Sequence, residues 1–297
     1  MRRLQGRMML ISLFVVIGLA VLLTACGSKE EPTGPPTLNF FTSFDQADSA
    51  AAAENKPFMV KFYTDWCTWC KTMDTITLVD SSVVTFLNDS FVVAKVNAEV
   101  DTSDAQKYSV MGYPTTILFD SKGDEIERIV GYLPPDEFLE TVDNYMHGIG
   151  TLDYYLAMAD TAGTTDVYFA IADKYNDRGK TDDAKTYYEK VIKTDPDNKD
   201  GFTDRAMISL GNIMRGAKDY DGAVKEFGQV IKNFKGTESA ADAEIWTAIT
   251  YRQKGDTTKA IQWFEGFLKN HPESSDTSYA MAQIEKLKNP PKPEEKE

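Results

Sequence analysis

The sequence predicts two folded parts in series: an α/β domain with a mixed central sheet and flanking helices, then an all-α helical solenoid. Three observations carry this. Between residues 38 and 148, short apolar runs alternate with amphipathic stretches, the pattern of strands and helices packed in layers. After Gly148-Ile149-Gly150 the strand-like runs vanish and helical periodicity takes over, from 151 to 289. Within that second part Ala184, Ala223 and Ala260 recur at intervals of 39 and 37 residues, close to a helix–turn–helix repeat of about 34. A length of 297 residues suits two domains.

The elements of the first part follow from local patterns. Asp45 to Asn55 is alanine-rich and reads as a helix that Lys56-Pro57 ends. Phe58 to Tyr63 is apolar apart from Lys61 and reads as a buried strand. Helical stretches follow from about Lys71 and then up to Leu87, with a strand over Phe91 to Asn97 and a short helix over Ala105 to Tyr108. Thr115 to Asp120 and Glu125 to Val130 read as strands joined by the turn Ser121-Lys122-Gly123-Asp124, and Pro135 to Met146 as a closing helix.

Residues 1–25 read as a signal peptide: Arg2, Arg3 and Arg7 precede the mostly apolar run Leu10 to Leu23. The segment ends in Leu23-Thr24-Ala25-Cys26, which resembles the lipobox of bacterial lipoproteins. The resemblance implies that Cys26 becomes a lipidated N-terminus. An uncleaved membrane helix is the alternative. Stable anchoring takes two or more acyl chains, since each buried methylene contributes only about 0.8 kcal/mol. Residues 26–37, with Pro32, Gly34, Pro35 and Pro36, read as a flexible linker, and 290–297 as a disordered tail. The mature chain is then expected in the bacterial cell envelope, facing the periplasm or extracytoplasmic space. The choice of membrane stays open.

The formal charge is −14, which excludes nucleic-acid binding through phosphate contacts. Cysteine use is sparse: Cys26, Cys67 and Cys70 only, too few for a framework of structural disulfides. Cys67 and Cys70 form a CxxC in Trp66-Cys67-Thr68-Trp69-Cys70-Lys71, between a strand and a helix. At a helix N-terminus, unpaired N–H groups and the helix dipole stabilise a thiolate. Cys67 is therefore the expected nucleophile, and Cys70, one turn on, the thiol that resolves a mixed disulfide. Half of a zinc site and a plain structural disulfide are the alternatives. Zinc lacks further cysteines once Cys26 is used, so no metal and no cofactor are expected.

At these residues the chain resembles the thioredoxin family, over about 40 to 146. The resemblance rests on Asp65-Trp66-Cys67-Thr68-Trp69-Cys70-Lys71, on Gly112-Tyr113-Pro114-Thr115 before a strand, and on Gly131-Tyr132. It implies a thioredoxin fold, a cis Pro114 beside the cysteines, and a Tyr113 backbone that pairs with the substrate chain. Trp66 is expected to shield the site and shape docking, and Trp69 to tune it. Two departures stand out. Lys61 occupies the position where the family carries a buried acid, and Thr75 replaces a helix-kinking proline. A buried Lys61 would favour a nearby thiolate; alternatively it points outward or snorkels. Thr75 in place of that proline and the run Trp66-Cys67-Thr68-Trp69-Cys70-Lys71 look more like the periplasmic reductase branch, the C-terminal domain of DsbD-type proteins, than like cytosolic thioredoxin. Asp65, Lys71 and Asp74 read as solvated surface charge.

In the second part, Tyr175, Gly179, Ala184, Tyr188 and Pro196 align with Leu210, Gly211, Tyr220, Ala223 and Phe227, and with Tyr251, Gly255, Ala260, Phe264 and Pro272. Small residues suit close helix crossings, and aromatics fill the space between repeats. This resembles tetratricopeptide (TPR) repeats, with a helix from about Ser275 to Leu287 as the cap. Such solenoids present a concave surface for peptides or proteins. The alternative is that the array only packs on the first domain or spaces it from the membrane. His147 and His271 read as a helix end and a loop residue.

The expected function is a membrane-anchored thiol–disulfide oxidoreductase acting on protein disulfides or thiols, with reduction favoured by resemblance. An unidentified thiol protein would supply or accept electrons, and the TPR surface would select a peptide or protein partner. A TPR-based envelope scaffold and a disulfide isomerase or redox chaperone are the rival readings.

Overall fold

The computed structural model describes residues 37–290. The expected signal segment, Cys26, nearly all of the linker and tail residues 291–297 lie outside the described residues.

Four strands build the sheet: β1 (Phe58–Tyr63), β2 (Val92–Asn97), β3 (Thr115–Phe119) and β4 (Glu125–Val130), in the order β2-β1-β3-β4. β1 and β2 run parallel, while β3 is antiparallel to both β1 and β4, so the sheet is mixed. Its period-two alternation feeds two cores. Phe58, Val60, Phe62, Ile117 and Phe119 face α1 (Phe44–Glu54) and α4 (Thr102–Lys107). Met59, Val93 and Leu118 face α2 (Thr68–Thr75), α3 (Ser81–Ser90) and α5 (Pro135–Met146). Both faces are covered, which explains the near-continuous apolar run of β1. Lys61 shares the parity of Met59 and therefore lies on the α2 side.

Helix starts follow local chemistry. Ser43 and Asp80 cap α1 and α3 by accepting backbone N–H bonds. α2 begins directly after Cys67, three residues before the expected Lys71, because the Cys67 sulfur takes the cap position. α4 likewise starts three residues before the expected Ala105.

The helical part comprises α6 (Leu152–Ala162), α7 (Thr165–Asp177), α8 (Thr181–Thr194), α9 (Thr203–Gly216), α10 (Tyr220–Asn233), α11 (Glu238–Lys254), α12 (Thr257–Asn270) and α13 (Thr277–Lys288). α7/α8, α9/α10 and α11/α12 form the three repeats, and α13 packs on the last through Ala280. Ala184, Ala223 and Ala260 are fully buried, and so are Tyr188, Phe227 and Phe264, each four residues later on the same helix face.

The register of the glycines differs from the sequence alignment. Gly179 and Gly255 end their helices with positive φ, and the matching residue of the middle repeat is Lys218, at φ 65°. All three donate to the carbonyl three residues back, and the following residue to the carbonyl five back. Gly211 instead lies inside α9 against the Phe227 ring, where Ala172 and Ala248 stand in the other repeats. Among the described residues no helix is long and apolar enough to cross a membrane.

Side-chain links tie the start of α6 and the end of α7 to the edge strand β4. Glu127, wholly buried, accepts the Leu152 N–H at 2.8 Å and pairs with Lys174 at 3.0 Å and Arg178 at 2.5 Å. Four donors, the Arg128 N–H included, satisfy this carboxylate, which is what makes burying it tolerable.

Candidate functional site

β1 delivers the chain to the top of the sheet, Thr64 to Trp66 turn it, and α2 carries it back down. Cys67 and Cys70 are joined in a disulfide at this turn, with Cα atoms 5.3 Å apart. Cys67 Sγ also accepts the Cys70 N–H at 3.0 Å. The sulfur thus occupies the place where a helix N-terminus presents unpaired N–H groups. Both cysteines are nearly buried, at 4% and 1% exposure.

The Tyr113–Pro114 bond is cis. Pro114 O accepts the Gly131 N–H at 2.8 Å, which ties the end of this loop to β4. The Tyr113 ring meets Trp66 edge-on at 6.1 Å, so the tryptophan bridges the cysteine turn and the proline loop. Trp66 Nε1 donates to Glu99 at 3.1 Å, and Glu99 also accepts the Asp65 N–H at 3.2 Å. Trp69 stacks on Tyr132 at 5.5 Å. The two indoles are 67% and 59% exposed, so they flank the cysteines in the chain with open apolar surface.

Lys61 lies beneath the cysteines, wholly buried. Its ammonium donates to Cys70 O at 3.0 Å and to Asp74 Oδ1 at 2.6 Å. Burial lowers its pKa from the ordinary lysine range, against the opposing pull of Asp74. The outward-pointing alternative is therefore wrong for this side chain. Asp74 is also not the solvated surface charge that the sequence suggests. Its second oxygen pairs with Lys95 at 2.8 Å, and Lys95 is the register partner of Lys61 on β2. Two lysines from adjacent strands thus share one carboxylate. The signal was present in the spacing: Asp74 follows the buried Cys70 by four residues, which puts both on the sheet side of α2.

Sequence reasoning also missed Glu99, and it singled out Tyr132 without its contact to Trp69. Each touches a tryptophan of the motif from more than thirty residues away, a separation that carries no local pattern. Cys26 lies outside the described residues.

On the repeats, Arg215, Ile245, Trp246, Ile249, Arg252 and Tyr279 line a groove of about 530 Å³ with Asp242 and Asp276. The Arg215 guanidinium stacks on Trp246 at 4.9 Å. Arg215 and Arg252 bond neutral acceptors, Gln253 and Gln283 among them. His147 and His271 end α5 and α12, away from the cysteines in sequence and in elements.

Comparison with known proteins places these features. The thioredoxin-like domain family matches residues 44–145, and tetratricopeptide repeat families match 165–198 and 208–275. A thiol:disulfide interchange protein DsbD from Ralstonia nicotianae is 35% identical over 103 residues, covering 33% of this chain and 17% of its own length. One from Yersinia pestis is 33% identical over 102 residues, covering 32% and 17%. The matched segment is thus about a sixth of these relatives. A solution structure of a thioredoxin from Thermus thermophilus aligns at 30% identity over 36% of this chain and 86% of that one, with a TM-score of 0.34. The chain carries a thioredoxin-like domain over residues 44–145, followed by tetratricopeptide repeats between 165 and 275.

Proposed function

We propose that this chain is a thiol–disulfide oxidoreductase anchored in the bacterial cell envelope. The observation that carries the reading is the Cys67–Cys70 pair, with the Cys67 sulfur at the start of α2 accepting a backbone N–H. In the reduced enzyme the Cys67 thiolate attacks one sulfur of a partner disulfide. The partner's other sulfur leaves as a thiolate and takes a proton. Cys70 then loses its proton and attacks Cys67 Sγ, which releases the second partner thiol and re-forms the internal disulfide. A separate thiol protein must return two electrons.

Trp66, Tyr113 and Pro114 hold the partner chain across the cysteines, and Lys61 and Trp69 tune them. The groove around Trp246 suits a peptide or protein partner, which the repeats would retain near the redox site. Residues 1–25 would direct export and Cys26 would carry the lipid. Likeness to the DsbD branch supports reduction.

Insulin reduction with dithiothreitol, comparing the full chain with Cys67→Ser, tests the enzyme. Equal rates would reject it. The reduction potential then sets the direction: about −270 mV marks a reductant and about −120 mV an oxidant. For the anchor, labelled fatty acid should enter the wild type and not Cys26→Ala.

A further inference from the structure

The loop that carries Tyr113 and Pro114 begins against the end of α7. Arg128, almost fully buried on β4, sends one nitrogen, Nη1, to two backbone carbonyls: Tyr108 O at 2.8 Å and Asp177 O at 2.7 Å. Tyr108 opens the loop, and Asp177 ends α7. The other nitrogens of the guanidinium go to Glu125 at 2.8 and 2.6 Å. Arg178 grips the same strand through Glu125 and Glu127.

The next residue on each side closes the contact. Gly179 has φ 67°, and a Cβ there would lie 2.7 Å from Ser109 Oγ. Ser109 is itself held at φ 52°. The α7–α8 turn and the start of the loop therefore meet backbone to side chain, with no room for a further carbon. Five residues on, Pro114 O is fastened to Gly131 of the strand end that follows Arg128. The segment Ser109 to Pro114 is clamped at its start by α7 and Arg128, and at its end by β4.

We propose that the α7–α8 turn is a structural wall of the substrate-holding loop, with Arg128 the positioning residue that locks it. The repeat region then sets the geometry of Tyr113 and Pro114 as well as offering its own groove. This rests on the redox reading for its functional consequence, while the wall itself is a statement about order in the loop.

Amide hydrogen exchange on the full chain tests it. Arg128→Lys keeps the charge and loses the two-carbonyl bridge. Exchange across 109–114 should accelerate about tenfold relative to wild type, with β1 and β3 unchanged. The KM for insulin should rise several-fold with kcat nearly constant, since a displaced loop weakens docking rather than the sulfur chemistry. Arg178→Gln, which loosens α7 without touching the loop, should give the same pattern in smaller measure and covers the case where Arg128→Lys fails to fold. Unchanged exchange in 109–114 in a folded variant would overturn the proposal. A uniform acceleration over the whole domain would overturn it too, as that marks general destabilisation. Should wild type reduce no insulin, the redox reading fails and the exchange comparison still decides the wall.

Discussion

The Lys61 ammonium donates to the Asp74 carboxylate at 2.6 Å from inside the covered face of the sheet, one helical turn below Cys70. A cation and an anion are thus set together under a redox pair, with Lys95 as a second cation on the outer oxygen.

Removing either member should move the reduced cysteines in opposite directions. Lys61→Met deletes a positive charge and leaves Asp74, so the Cys67 thiolate forms at higher pH; Asp74→Asn does the reverse. Each shift should be about one pH unit, the equivalent of about 1.4 kcal/mol. Thiolate absorbance against pH reads it, and coincident titrations of the three proteins would remove Lys61 from the tuning role. Lys61 also predicts a stability slope. Its folded pKa is lowered, so the unfolded chain binds more protons between that value and the ordinary lysine value, and stability rises with pH across the interval. The Met variant should lack that rise.

Asp177 gives a second pH effect. Burial, then the nearby Asp173, push its carboxyl up to about 6. The unfolded chain releases this proton near pH 4, so between about 4 and 6 the folded state holds more protons and stability falls as pH rises. Asp177→Asn keeps the carbonyl that Arg128 uses. Denaturant titrations should find it close to wild type near pH 4 and more stable at about pH 7.5, by on the order of 2 kcal/mol. Equal stability at the higher pH would contradict the burial argument.

Lys218 stands where the neighbouring repeats place glycine. A non-glycine residue in the left-handed region costs about 1–2 kcal/mol, while glycine adds roughly 0.5–1 kcal/mol of unfolded-state entropy. The first effect wins, so Lys218→Gly should stabilise the chain by about 0.5–1 kcal/mol, visible as a higher Tm. A lower Tm would mean that the lysine side chain contributes more than its backbone costs.

Trp66 bridges the two loops of the site through Tyr113 and Glu99. Trp66→Ala should leave the far-UV spectrum intact and raise the KM for insulin several-fold, with little change toward a small aromatic disulfide, because only a protein partner spans both loops. An equal loss toward both substrates would assign Trp66 to the chemistry instead.

The sequence by itself determined the local elements and the chemistry they carry. Apolar alternation set the strands, the CxxC stood between a strand and a helix, and the Ala-to-aromatic spacing of four marked each repeat. These are signals within one or two turns of chain, where period and propensity act directly. Tertiary structure decided the rest. Whether Lys61 was buried depended on α2 lying over β1, and whether Asp74 was a surface charge depended on two strands beneath it. Lys218 took a glycine's place because the helix ends recur in space, while the aligned letters pointed to Gly211. The clasp of Arg178 on Glu127 joins residues 51 apart in the chain. Such contacts form only when separate elements pack, so no local pattern records them, and they set the environment of the cysteines that the sequence had already placed.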